Sequence, residues 1–219
     1  MKVAVYLLLF FLMASPSSKA LVGTVFETPG PNCFSAALVL SGVQKTFRGV
    51  DELEMRSEIQ QRCQLVMGEP QPGDVGVYST RGGEFLVHAF LYVDPDTVIE
   101  KRGVGSGSNN AIIRGSFAHT NFIYGVASKE CLQFSKGPEC YNRLQYYRCG
   151  EASVRTPREE LFEKALEQAI FMPRSHQKAR LQAVRQLEEY LNQLIEEGQT
   201  SSERLKSYRL QLKYFHVTL

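Results

Sequence analysis

Apolar positions fall into three regimes along the chain. Val3 to Ala14 is an unbroken apolar run of twelve residues. From about residue 21 to 150 the apolar runs are short and separated by Gly, Pro, Asn and Asp. Beyond 150 they recur at helical spacing. In the middle regime the spacing predicts a short apolar helix over Cys33 to Leu40, with Asn32 as its N-cap and a stop at Gly42. A second, charged helix runs from Asp51 to about Cys63. Pro70 to Asp74 is a turn into a strand that starts at Val75 and Val77. Phe85 to Val93 is nearly all apolar, as in a strand covered on both faces. Asp94-Pro95-Asp96 turns it into Thr97–Lys101, a loop covers 102–110, and strands follow at Ala111–Ile113 and Phe122–Ala127. One short helix followed by antiparallel strands reads as α+β.

In the last regime Leu161, Ala165, Leu166, Ala169 and Ile170 mark a helix that starts at Thr156-Pro157 and ends at Pro173. Leu181, Val184, Leu187, Leu191 and Leu194 mark a longer one ending near Gly198, and Leu205, Tyr208, Leu212 and Phe215 a third. Such stripes mean helices packed as a bundle or folded onto the main domain. A coiled coil that binds a protein partner is the alternative. Sixteen of the 17 glycines and all five cysteines precede residue 151. The organisation is therefore a leader over 1–20, an α+β domain over 21–150 and a helical appendage over 151–219.

Composition changes this picture at two points. The leader has one positive charge, an apolar stretch too short to span a bilayer, and small residues at Ser18 and Ala20; it reads as a cleaved secretory signal. No second apolar run is long enough to span, which predicts an exported protein, periplasmic or extracellular. Removing Lys2 and Lys19 takes Lys+Arg from 25 to 23 against 23 Asp+Glu, so the mature chain is near neutral. That argues against nucleic acid as a partner. Export makes disulfides permissible, and Cys33, Cys63, Cys131, Cys140 and Cys149 are odd in number, leaving at least one thiol. They lack the Cys-x-x-Cys pairs of a zinc site.

A thiol in the first turn of a helix faces the positive end of the peptide dipoles and unpaired N–H groups, which favour thiolate and could bind an oxyanion. His88 interrupts the apolar run Phe85–Val93. With Asp94-Pro95-Asp96 as a three-residue loop, Phe90 faces Glu100, and His88 and Glu100 share one face as diagonal neighbours. Glu100 could then orient the imidazole for the Cys33 thiol. A two-residue loop would put Glu100 on the opposite face. His119 reads as a surface residue or a substitute base, and His176 and His216 as solvated. Gly103 to Gly107 lacks the strand-to-helix context of a phosphate loop. Arg143, Tyr146, Tyr147 and Arg148 read as a disulfide-tied surface loop.

Asn32-Cys33-Phe-Ser-Ala-Ala-Leu38, Pro72-Gly73-Asp74-Val-Gly-Val77, His88-Ala-Phe-Leu-Tyr-Val93 and Glu100 together resemble the papain-like NlpC/P60 superfamily over residues 22–127. The order of cysteine before histidine fits its unpermuted branch, and a glutamate in the third position resembles the related CHAP amidases. Asn32-Cys33-Phe34-Ser35 departs from the usual Asp-Cys-Ser-Gly, and the upstream aromatic-Trp-Gly-Gly stretch is missing, Phe26 being the nearest aromatic. The resemblance implies an amide hydrolase with Cys33 as nucleophile, His88 as base and Glu100 as orienting residue. It implies peptidoglycan stem peptide as substrate, and no metal or organic cofactor. The alternatives are a non-catalytic wall-binding or interaction module, and an acyltransferase or lipid amidase. A nucleophile must stay reduced, so Cys33 is the expected odd thiol. Cys63, Cys131, Cys140 and Cys149 would then form two bridges, with all three pairings open.

Overall fold

The computed structural model describes residues 21–26, 30–81, 83–103, 110–126, 140–150, 154–173 and 175–217. The leader over 1–20, most of the 102–110 loop and Cys131 lie outside the described residues. Among those described, the chain forms an α+β fold with six helices and one six-stranded antiparallel sheet.

Helix α1 (Cys33–Leu40) begins where the Asn32 side chain accepts from the Ser35 N–H at 3.0 Å. Helix α2 (Glu52–Arg62) is capped in the same way by Asp51, which accepts from Glu54. The strands are β1 (Cys63–Leu65), β2 (Val75–Ser79), β3 (Leu86–Asp94), β4 (Thr97–Lys101), β5 (Ile112–Ser116) and β6 (Arg143–Cys149), in spatial order β1-β6-β2-β3-β4-β5. Helix α3 (Phe117–Tyr124) lies between β5 and β6 in sequence. Helices α4 (Pro157–Phe171), α5 (Gln177–Glu197) and α6 (Ser202–Val217) follow.

Period-two alternation sorts the sheet into two apolar faces. Val75, Val77, Ala89, Leu91, Ile99 and Ile112 face α1 and the C-terminal helices in one continuous core. Tyr78, Phe90, Tyr92 and Val98 face the other way, against Phe117, Tyr124, Leu144 and Tyr146. The turn before β2 depends on Gly73, whose φ of +99° a side chain would strain. Asp74 then accepts from the Gln71 N–H at 2.8 Å and takes two bonds from Arg148 at 2.9 Å, tying β2 to β6.

Two segments depart from the sequence reading. The strand expected at Phe122–Ala127 is replaced by α3, because Phe117, Thr120 and Tyr124 fall on one helical side and meet the second sheet face, leaving Phe122 and Ile123 exposed. Tertiary contact has overridden the β-propensity of an aromatic and branched run. The expected surface loop at Arg143 to Arg148 is strand β6, paired with both β1 and β2. Its Leu144 and Tyr146 fill the second cluster and Arg148 reaches Asp74, which a loop would leave undone. Cys63, expected at the end of α2, opens β1 instead and is bonded to Cys149 across the β1–β6 ladder.

The C-terminal helices share the core of the sheet. Helix α4 starts with a capping box between Thr156 and Glu159, and Gly198 ends α5 in the left-handed region at φ +64°. Leu161 and Leu181, both counted in the apolar stripes, are exposed; Phe162 and Arg180 take buried positions beside them. The surprise is an ionic centre at the junction. Fully buried Arg48 donates from Nε to Glu163 at 2.9 Å and from both terminal nitrogens to Glu54. Glu163 also accepts from Thr46, Arg155 and Tyr208. Burial alone would push the Glu163 carboxyl up; Arg48 and Arg155 outweigh it and bring it to about 2. Removing one member leaves charge buried and unpaired, so Arg48→Met should cost about 3–5 kcal/mol of unfolding free energy. Urea denaturation measures it, and a loss below about 1 kcal/mol would show the centre to be no more than a surface-grade ion pair.

Candidate active site

The β3–β4 hairpin decides whether His88 and Glu100 can meet. Its loop is the two-residue Pro95-Asp96, with Asp94 opposite Thr97. A β-bulge at Val93 then inserts one residue, so that Tyr92 pairs with Val98 and Leu91 with Ile99. That is the register a three-residue loop would have given. The bulge cancels the face reversal of the shorter turn and returns Glu100 to the side of His88.

There, His88 Nε2 and Glu100 Oε2 are 2.8 Å apart, with both side chains essentially inaccessible to solvent. The other carboxylate oxygen accepts from Arg102 Nε at 2.7 Å and from the Thr120 hydroxyl at 3.0 Å. The Tyr124 ring stacks on the imidazole at 3.7 Å with the planes 6° apart. One turn of α3 thus supplies both Thr120 and Tyr124, which lie four residues apart and so on one helical face. Because Nε2 is engaged by Glu100, Nδ1 is the ring nitrogen left to act on the nearby Cys33 thiol.

Cys33 is a free, half-buried thiol at the first position of α1. Of the first-turn N–H groups there, Ser35's is taken by Asn32, and those of Cys33 and Phe34 have no intrahelical acceptor. Cys63 and Cys149 are bonded to each other, and Cys140 is also disulfide-bonded. The structure therefore bonds His88 to Glu100 and brings Cys33 close enough to the imidazole to act on its charge. It places His119 on the exposed side of α3 and His176 at an exposed helix end, and pairs His216 with Glu188. Phe26 is buried against Phe47 and Phe171. Among the described residues, no group of three or more His, Cys, Asp or Glu side chains could hold a metal ion.

The electrostatics follow from these contacts. Burial disfavours a charged imidazole, but hydrogen bonds and charge at Cys33 and Glu100 outweigh it and hold His88 above its ordinary 6.5. Burial likewise opposes the Glu100 carboxylate; His88 and Arg102 overcome it and hold the group below its ordinary 4.5. Lys101, the next residue, is buried with its ammonium on the Gly103 carbonyl at 2.6 Å, and burial pushes it down to about 8.

The sign of each shift sets a pH window. Glu100, depressed on folding, contributes stability above about 4.5 that is lost as pH falls through its folded value. His88, raised on folding, contributes fully below about 6.5 and loses this as pH rises through its folded value. The melting-temperature difference between the native protein and Glu100→Gln should therefore be widest between these limits and shrink on both sides. A pH-independent difference would show that the pair is not ionised in the fold.

Arg102, Thr120 and Tyr124 are the site residues that sequence reasoning did not find. Thr120 and Tyr124 were hidden because α3 reads as strand. Arg102 was legible only as the residue two beyond Glu100. No protein family, no curated protein and no solved structure matches this chain.

Proposed function

We propose that this protein is an exported cysteine hydrolase of the NlpC/P60 type that cleaves amide bonds in peptidoglycan stem peptides. The observation that carries the reading is the buried His88–Glu100 hydrogen bond beside Cys33, with the thiol free and at a helix N-terminus. The substrate class comes from the sequence resemblance. The Cys63–Cys149 disulfide suits an oxidising compartment, and no described helix is long and apolar enough to cross a membrane.

In this reading Cys33 Sγ, as thiolate, attacks the amide carbonyl carbon. The oxygen takes up the electron pair and is met by first-turn N–H groups of α1. Collapse breaks the C–N bond, and the Nδ1 proton of His88 goes to the leaving amine. Water then attacks the thioester, giving its proton to Nδ1, and a second collapse releases the carboxylic acid and Cys33. Glu100 acts throughout by holding the ring and stabilising its charge, and Arg102, Thr120 and Tyr124 hold Glu100 and His88 in place.

Incubating the mature protein with purified cell-wall peptides and identifying the products by mass spectrometry tests this. New free amine and carboxyl ends at one bond type are expected. Intact peptides throughout would overturn the reading.

A further inference from the structure

Arg102 is held in an unusual way for an arginine beside a buried carboxylate. Only Nε is used, donating to Glu100 at 2.7 Å. Arg148 on Asp74, by contrast, spends both Nε and Nη2. The two terminal nitrogens of Arg102 have no protein acceptor among the described residues, and its side chain is 25% exposed. The guanidinium also lies against Gly115, where an added Cβ would stand 3.3 Å from Nη2 and 3.1 Å from Glu100 Oε1. A side chain there would crowd both groups. The outcome is a guanidinium fixed through Nε, with its paired Nη edge uncommitted among the described residues. That edge is the geometry that receives a carboxylate by two parallel N–H bonds.

Its position makes the edge part of the site. From Arg102 the bonds run through Glu100 to His88, which lies beside Cys33, so guanidinium and thiol are separated by no more than about four residues of extended peptide. Charge agrees. With Cys33 as thiolate and His88 as imidazolium those two cancel, and Glu100 is a single negative charge against Arg102 and buried Lys101. Lys101 is committed to the Gly103 carbonyl and wholly inaccessible, so Arg102 is the cation that a ligand can touch.

We propose that Arg102 is a substrate receptor as well as a support for Glu100: the substrate is an acidic peptide whose carboxylate, within about four residues of the cleaved amide, docks on the Nη edge. This rests on the reading of Cys33 as an amide-hydrolase nucleophile.

Two measurements separate the receptor role from the support role. The first compares alkylation of Cys33 by iodoacetate, an anion, with alkylation by neutral iodoacetamide. Both reagents sense the same thiolate population, so their rate ratio cancels any change in the amount of thiolate and reports the local charge. Arg102→Gln should lower the ratio by about three- to tenfold, as expected for removing one positive charge at this range, and Arg102→Lys should keep it near native. The second compares cell-wall peptides with free carboxylates against the same peptides amidated. The native protein should favour one free carboxylate by about tenfold or more in kcat/KM, the size of a charge-assisted bond, and Arg102→Gln should erase that preference. An unchanged reagent ratio together with cleavage indifferent to amidation would overturn the receptor while leaving the hydrolase intact. Failure of both reagents to label Cys33 would overturn the hydrolase reading and this inference with it.

Discussion

Cys33→Ala should abolish amide hydrolysis, with kcat falling by about 10⁴-fold or more, while the protein stays folded. The size follows from the role: without sulfur no thioester forms, and the histidine and glutamate have nothing to activate. The fold should be indifferent because Cys33 is half-buried in the first turn of α1, ahead of the packed Phe34, Ala37 and Leu38. Loss of one sulfur there is expected to change unfolding free energy by no more than about 1 kcal/mol. Progress curves on a cleaved peptide and a melting curve of the same preparation measure both parts. Glu100→Gln should be milder, lowering kcat by about 10²–10⁴-fold, since it removes the charge and orientation of the base but not the base itself.

Ending the chain at Gly150 should give a protein that does not fold, a larger effect on stability than any single substitution. The helices beyond that point supply 11 of the 26 buried residues of the main core. Phe162, Leu166, Ile170, Val184, Leu187, Tyr208 and Phe215 belong to the same buried cluster as Leu38, Leu91 and Ile99. Burial of each large side chain contributes roughly 1.5–3 kcal/mol, so losing seven removes about 10–20 kcal/mol, as much as the whole stability of an ordinary domain, about 5–15 kcal/mol. Truncation also strips Glu163 and the Tyr208 ring from Arg48, so that Glu54 would be the one carboxylate left to pair with it. Circular dichroism and a melting curve of residues 21–150 check this, and a cooperative transition near that of the full chain would contradict it.

The parts of this fold that could be read from sequence are those fixed by short-range chemistry. Asn32, Asp51 and Thr156 cap their helices with their own side chains, and each cap lies three residues from the N–H it satisfies. The apolar run of β3 and the position of Cys33 were legible for the same reason. The His88–Glu100 pairing was reached by a loop length that the structure does not have. It stands because a bulge at Val93 supplies the missing residue, and bulges leave no local signature in an apolar run. Helix α3 and strand β6 were misread because their contacts come from far along the chain: Tyr124 on His88, Thr120 on Glu100, Arg148 on Asp74. The Arg48 centre was invisible for the same reason, since its partners Glu54 and Glu163 sit on helices more than a hundred residues apart.

The most direct test of the central claim is to alkylate the folded, unreduced mature protein with iodoacetamide in stages, map the label by peptide mass, and assay hydrolysis of cell-wall peptides at each stage. One label is expected, on Cys33, with activity falling in proportion to the labelled fraction. Full activity after complete labelling of Cys33, or a label on another cysteine with Cys33 left unmodified, would contradict it.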